Sequence, residues 1–217
     1  MEYKTIRRAA SAEFVEKRSR FIGYISPVTT PEQAAEFIDS VKSRHWDATH
    51  NVPAYILREG NLCRYSDDGE PQGTAGMPVL SVLQKEGVTD CAVVVTRYFG
   101  GILLGGGGLV RAYSHSAKLA LDAGGIVTRA LCSVVRVKSD YTFYGRLTSL
   151  IPEQGGIIEN TVFEDAVTVD FRIRAELEPL FEARLVDLSN GTLHSEHVGE
   201  RFADIDYPHI AKNTHRI

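Results

Sequence analysis

Residues 89–121 read TDCAVVVTRYFGGILLGGGGLVRAYSHSAKLAL, and the fold turns on how this stretch is parsed. Cys91 to Val95 is an unbroken apolar run, which predicts a buried strand ending at Thr96, Arg97, Tyr98 and Phe99. Six glycines follow between positions 100 and 108: Gly100, Gly101, Gly105, Gly106, Gly107 and Gly108. A helical pattern starts near Leu109, with Val110, Tyr113, Ala117, Ala120 and Leu121 on an apolar stripe. Arg111, His115, Lys118 and Asp122 make the polar one. Strand, glycine-rich turn and helix start together suit an anion, because glycine lets a ligand approach the backbone and helix-start N–H groups attract negative charge. Three readings stay open for the turn: a close-packed crossover, an anion or nucleic-acid backbone site, and a catalytic loop. No Gly-Lys-Ser/Thr follows, so it is not a Walker loop, and Ile102, Leu103 and Leu104 interrupt any dinucleotide fingerprint.

Working outward, the segment SDDGEPQGTAG at 66–76 holds three carboxylates and three glycines, which marks an irregular loop. Asp67, Asp68 and Glu70 serve turn chemistry, a partner contact or a hard cation, although calcium-loop spacing is absent. Arg64 stands just before this loop. Upstream, Tyr3–Ala10 and Glu13–Val28 read as two extended segments, and Thr30-Pro31-Glu32-Gln33 opens a helix to about Arg44. His50 leads into a strand ending at Leu57, and 77–85 is a short helix. Downstream of Leu131 the pattern is strand 131–138, helix 141–153, strands 157–163 and 166–173, helix 177–188 and strand 192–198. That order, βαββαβ, is the split-βαβ, ferredoxin-like arrangement. The expected organisation is α+β in two domains, 1–130 and 131–200, with a polar tail at 201–217.

The chain has 217 residues and a net charge of −4, which argues against a general polyanion binder. Residues 1–130 carry 15 Lys+Arg against 14 Asp+Glu, whereas 131–217 carry 9 against 14. A local basic segment, Lys4, Arg7, Arg8, Lys17, Arg18 and Arg20, alternates with Glu13 and Glu16, as in a solvated face or a nucleic-acid patch. Without an apolar leader or an 18-residue apolar run, the expectation is a cytoplasmic protein without a membrane span. Cys63, Cys91 and Cys132 have no metal-ligand spacing, and no histidine pair does either. No motif establishes an enzyme, and none calls for a cofactor or metal.

RYSDDGEPQGTAGMPVL at 64–80 and VVVTRYFGGILLGGGGLVRAYSHSAKLAL at 93–121 together resemble the IMPACT family, in its bacterial, YigZ-like form. SRFIGYISPV at 19–28 and HWDATHNVPAYIL at 45–57 carry the same resemblance. It implies an N-terminal ribosomal protein S5 domain 2-like α/β domain and a C-terminal domain like the last domain of elongation factor G. Eukaryotic relatives act in translational control through a further domain that this chain lacks. Small-molecule kinases share the N-terminal fold, but the serines of their phosphate loop are missing at Gly105 to Leu109. The leading expectation is a non-enzymatic, translation-associated regulator that binds RNA, the ribosome or a ribosome-associated partner. Its contacts would be Arg97 and Arg111 on phosphate, Tyr98 or Phe99 stacking, and the 64–75 loop alongside. The rivals are an enzyme acting on a phosphorylated small molecule, with Asp67 or Asp68 as metal ligand or base, and a protein-binding regulator that needs no nucleic acid.

Overall fold

The structure is a computed structural model that describes residues 2–205. The chain packs as two units, Tyr3–Thr128 and a second formed by Glu2 with the residues from Arg129 on.

The chain opens with β1 (Glu2–Ile6), and in the first unit β2 (Ala10–Glu16) and β3 (Ser19–Pro27) follow. Glu13–Val28 is therefore not one extended segment but two strands of a hairpin. Lys17 and Arg18 turn it at φ of 45° and 64°, without the glycine or asparagine that announces such a turn in sequence. α1 (Pro31–Arg44) starts where Thr30 Oγ1 accepts from the Gln33 N–H at 3.3 Å. The Gln33 side chain reaches back one residue further than expected, to the N–H of Thr29 at 2.8 Å. β4 (His50–Leu57) and β5 (Leu62–Tyr65) form a second hairpin, α2 (Gly76–Glu86) follows, and β6 (Cys91–Tyr98) leads to α3 (Gly106–Gly124).

The antiparallel sheet has the order β2-β3-β6-β4-β5, so the apolar run 91–95 lies at its centre. α2 and α3 cover one face over Phe21, Ile25, Val52, Ala54, Val93, Val95, Tyr113 and Leu121. α1 covers part of the other over Ala92 and Leu57. α3 lies close on β3 because Gly23 has no side chain: a Cβ there would meet the Ser116 carbonyl at 2.5 Å. Pro53 fixes where β5 stops. Its carbonyl accepts from Ser66 at 3.1 Å on the β5 side, so its missing N–H falls on that side too and the ladder cannot continue. The chain leaves there into the 66–75 loop.

In the second unit β7 (Ile126–Ser139), α4 (Tyr141–Glu153), β8 (Ile157–Phe163), β9 (Val167–Arg174), α5 (Glu178–Leu188) and β10 (Glu196–Asp204) follow in order. Within a five-stranded sheet that also holds β1 beside β7, the strands β10-β7-β9-β8 pair antiparallel in the ferredoxin-like order that the sequence pattern predicts. The alternating Val167, Val169, Phe171 and Ile173 pack with Leu147, Ile151, Phe181 and Leu185. The last strand is later than expected. It runs through Arg201 and Asp204, so the polar stretch thought to begin the tail is an edge strand. Backbone pairing to β7 and charge contacts such as Arg129 Nε–Asp204 at 2.8 Å hold it, and neither shows as hydrophobic alternation. Residues 206–217 of the expected tail lie outside the described residues.

Candidate functional site

The glycines of 100–108 do not form one loop. Gly100, Gly101 and Gly105 lie in the connection, with Gly101 and Gly105 at φ of 81° and 74°, whereas Gly106, Gly107 and Gly108 are already the first turn of α3. The helix begins three residues before Leu109, and Val110, expected on its apolar stripe, is exposed. No side chain caps its start. Gly100 has a packing role: a Cβ there would lie 2.0 Å from the Arg18 carbonyl carbon, so the tip of the β2–β3 hairpin rests directly on it.

Side chains alternate along β6, which sends Arg97 to the α2/α3 face with Val93 and Val95. Arg97 is therefore no exposed cation; it is 5% accessible. Its Nη1 donates to Glu70 Oε1 at 2.6 Å, and the Tyr113 hydroxyl donates to the same oxygen at 2.7 Å. Phe21 and Phe99 flank the guanidinium, with ring centres 5.5 and 5.4 Å from its carbon. Burial, reinforced by Glu70, raises the Tyr113 pKa, so its hydroxyl stays a donor. His50 Nε2 sits 3.7 Å from the shared oxygen, and its Nδ1 donates to the Asp68 carbonyl at 2.7 Å. Arg97 Nε is buried without a partner among the described residues.

The other acids of the 66–75 loop also face inward. Asp67 accepts from the N–H groups of Gly73, Ala75 and Gly76 at 2.8, 3.1 and 2.8 Å. Burial works to raise the Asp67 pKa, but the three N–H bonds together outweigh it and hold it below the ordinary value. Asp68 accepts from the Asn51 N–H at 2.7 Å and from Lys42 Nζ at 3.0 Å. The role assigned to Asp67 or Asp68 in an enzymatic reading, metal ligand or base, needs a carboxylate that these bonds already occupy. Among the described residues no group of three or more His, Cys, Asp or Glu side chains could hold a metal ion. Burial pushes the Cys91 thiol up to about 12, out of reach as a nucleophile at neutral pH.

What faces outward is different. Tyr98 and Phe99 part company at the end of β6. The Tyr98 hydroxyl accepts from His45 Nδ1 at 2.9 Å and donates to Asp47 at 3.0 Å. Phe99 is 45% accessible and borders an open groove of about 390 Å³ together with Thr49, His50, Pro71, Leu103 and Gly105. Leu103 is 81% accessible. Glu70, Arg97 and Gly106 also line the groove, so the structure does bring the 97–106 stretch to the 66–75 loop. Arg111 is exposed but belongs to a neighbouring cavity with Lys17 and His115. Arg64 does not join either: it lies on edge strand β5 and donates to the Cys63 carbonyl. His50 and Leu103 did not stand out as site residues in the sequence, and Lys17 entered only as one charge of the basic segment from Lys4 to Arg20. An exposed leucine between glycines was the signal available for Leu103.

Two family models match the chain. The Impact N-terminal domain covers residues 17–121, and a domain of unknown function (DUF1949) covers 137–192. The IMPACT family member YvyE of Bacillus subtilis is 39% identical over 190 residues, 87% of this chain and 88% of that protein. The IMPACT family member YigZ of Escherichia coli is 35% identical over 190 residues, 85% of this chain and 93% of that protein. A crystal structure of a hypothetical protein superposes with a TM-score of 0.58 at 31% identity, covering 92% of this chain and 98% of the other. No helix among the described residues is long and apolar enough to cross a membrane.

Proposed function

The chain belongs to the IMPACT family, and from that premise we propose that it is a cytoplasmic, translation-associated regulator that binds RNA, free or within the ribosome, without catalysing a reaction. One observation carries the proposal: the three acids of the 66–75 loop all bond within the protein, so the groove left for a ligand is aromatic and apolar, with Lys17 and Arg111 in the cavity beside it. Phe99 offers a face on which an unpaired base can stack and Leu103 an apolar edge beside it, and sequence-tolerant stacking is how single strands are held. The unbonded N–H groups at the start of α3 and the nearby Lys17 and Arg111 suit the phosphates between bases. Arg97 supports this surface from below. It holds the 66–75 loop through Glu70 and stiffens Phe99, and it does not itself touch phosphate.

The test is equilibrium binding of the purified chain to short unstructured RNA and to ribosomes, across a salt series. Phe99→Ala is expected to lose about 1–3 kcal/mol of affinity for a stacked base, and Leu103→Ala less, while the fold, followed by circular dichroism, is retained. A parent chain that neither binds RNA nor sediments with ribosomes at low salt would overturn the proposal.

A further inference from the structure

Beside the Phe99–Leu103 groove lies a second cavity of about 250 Å³, between the tip of the β2–β3 hairpin and α3. Its lining includes Phe14, Lys17, Leu104, Arg111 and His115. Three basic side chains thus converge on one space. None of them forms an ion pair or a polar hydrogen bond among the described residues, and Glu16, the single acid in the lining, pairs with none of them. The contrast with their surroundings is sharp. Arg20, just beyond the turn from Lys17, is closed by Glu13 at 2.5 Å, and Lys118, one helical turn from His115, is closed by Asp122 at 2.7 Å.

The cavity is also built rather than incidental. His115 meets Phe14 edge-on, with ring centres 4.7 Å apart at 78°, and Phe14 stacks on the buried Phe21 at 5.2 Å. That stack gives the imidazole a fixed seat against the core. Leu104 lines both this cavity and the apolar groove and so forms the wall between them. A Cβ on Gly108 would meet Leu104 Cβ at 2.9 Å, so the wall is packed against the first turn of α3. One side of the wall is apolar and aromatic, and the other carries Lys17 and Arg111, neither paired with the single acid there, Glu16. A volume of 250 Å³ equals about eight waters, room for a phosphate with its ribose oxygens.

We infer that the two cavities together recognise a ribonucleotide unit: the phosphate sits between Lys17, Arg111 and His115, and the base lies across Leu104 against Leu103 and Phe99. The inference rests on the proposed RNA binding for its usual ligand, an RNA strand. The same chemistry would also accept a free nucleotide, and the experiment separates the two.

A fluorescent oligouridylate is titrated by anisotropy against the parent, Lys17→Ala, Arg111→Ala, His115→Gln and Leu103→Ala in a salt series. Uridine 5′-monophosphate is titrated separately while the histidine ring protons are followed by NMR, with His115 assigned by its loss in His115→Gln. All of these positions are at the surface, so the variants fold. Lys17→Ala and Arg111→Ala are each expected to weaken the oligonucleotide and to reduce the salt slope by about 0.7, the value for one phosphate contact on a single strand. Leu103→Ala weakens binding with the slope unchanged, Lys17→Arg restores the slope, and the monophosphate shifts the His115 signal. A shift of His115 by the monophosphate with no oligonucleotide binding would keep the phosphate pocket and assign it to a free nucleotide. Unchanged slopes and an unmoved His115 signal, with Leu103→Ala still weakening RNA, would overturn the phosphate pocket and leave RNA binding standing.

Discussion

In the unit that follows Arg129, the sheet face turned away from α4 and α5 is a lattice of ion pairs. Arg136 meets Asp170 at 2.7 Å, Arg172 meets Glu159 at 2.7 Å, Arg201 shares Glu159, and Arg174 meets Glu2 at 2.7 Å. At the sheet end of the Tyr3–Thr128 unit the arrangement is reversed. Lys17, Arg18 and Arg111 have no acidic partner among the described residues, while Arg97 and Glu70, a pair almost wholly buried, are removed from water. The more acidic unit matches the arginines of this sheet face, whereas the nearly neutral unit leaves Lys17, Arg18 and Arg111 without an acidic partner among the described residues at the sheet end. Net charge therefore says little about where an anion binds. The useful quantity is which charges the fold leaves without a partner, and that is set by tertiary structure.

The contrast can be broken most decisively at Glu70. Glu70→Ala strands Arg97 in a buried site and is expected to cost about 3–5 kcal/mol in urea unfolding, because an uncompensated buried charge is far worse than a lost pair. A loss no larger than that of an exposed pair would mean that the buried pair does not anchor the 66–75 loop. Gly100→Ala comes next. The new methyl would collide with the Arg18 carbonyl, and relief by moving the hairpin is expected to cost about 1–3 kcal/mol. The same shift displaces Lys17, so this variant should also bind RNA less tightly at low salt. The smallest effect belongs to the ion-pair lattice. Arg136→Ala is expected to cost least of the three at pH 7, since the pair is partly exposed and screened. The hydrogen bond from Arg136, against an opposing burial effect, holds the Asp170 pKa below its ordinary 3.8. A depressed carboxylate pKa contributes stability above about pH 4 and loses it as the pH falls through the folded value. The gap between parent and Arg136→Ala should therefore close in acid, and a gap that widens there would contradict the pairing.

Much of this architecture is written in local pattern. The 91–95 apolar run had to be an inner strand, and Val167, Val169, Phe171 and Ile173 had to share one face, because strand side chains alternate. What escaped the sequence depends on distance along the chain or on unusual turn chemistry. Glu70 and Arg97 are 27 residues apart and Tyr113 is 43 from Glu70, so their union follows from the path of the loop after Pro53. Arg97 looked like an exposed phosphate ligand because an arginine at a strand end usually is one, and only the register shows it pointing under the loop. The Lys17-Arg18 turn carries no turn residue at all. β10 lacks hydrophobic alternation and carries Glu196, Glu200, Arg201 and Asp204, since an edge strand can be held by its backbone and by ion pairs.

The start of α3 has a consequence for time rather than for affinity alone. Gly106, Gly107 and Gly108 are each less favourable in a helix than alanine by about 1 kcal/mol, so this first turn is the part of α3 that unwinds most readily. A ligand seated against it must also hold the turn in order, and the free energy of that ordering is subtracted from the grip on the ligand. The loss appears mainly as faster departure, because related complexes differ more in release than in encounter. For RNA bound as proposed, a turn built from three glycines is expected to shorten residence, with contacts that form and are given up quickly.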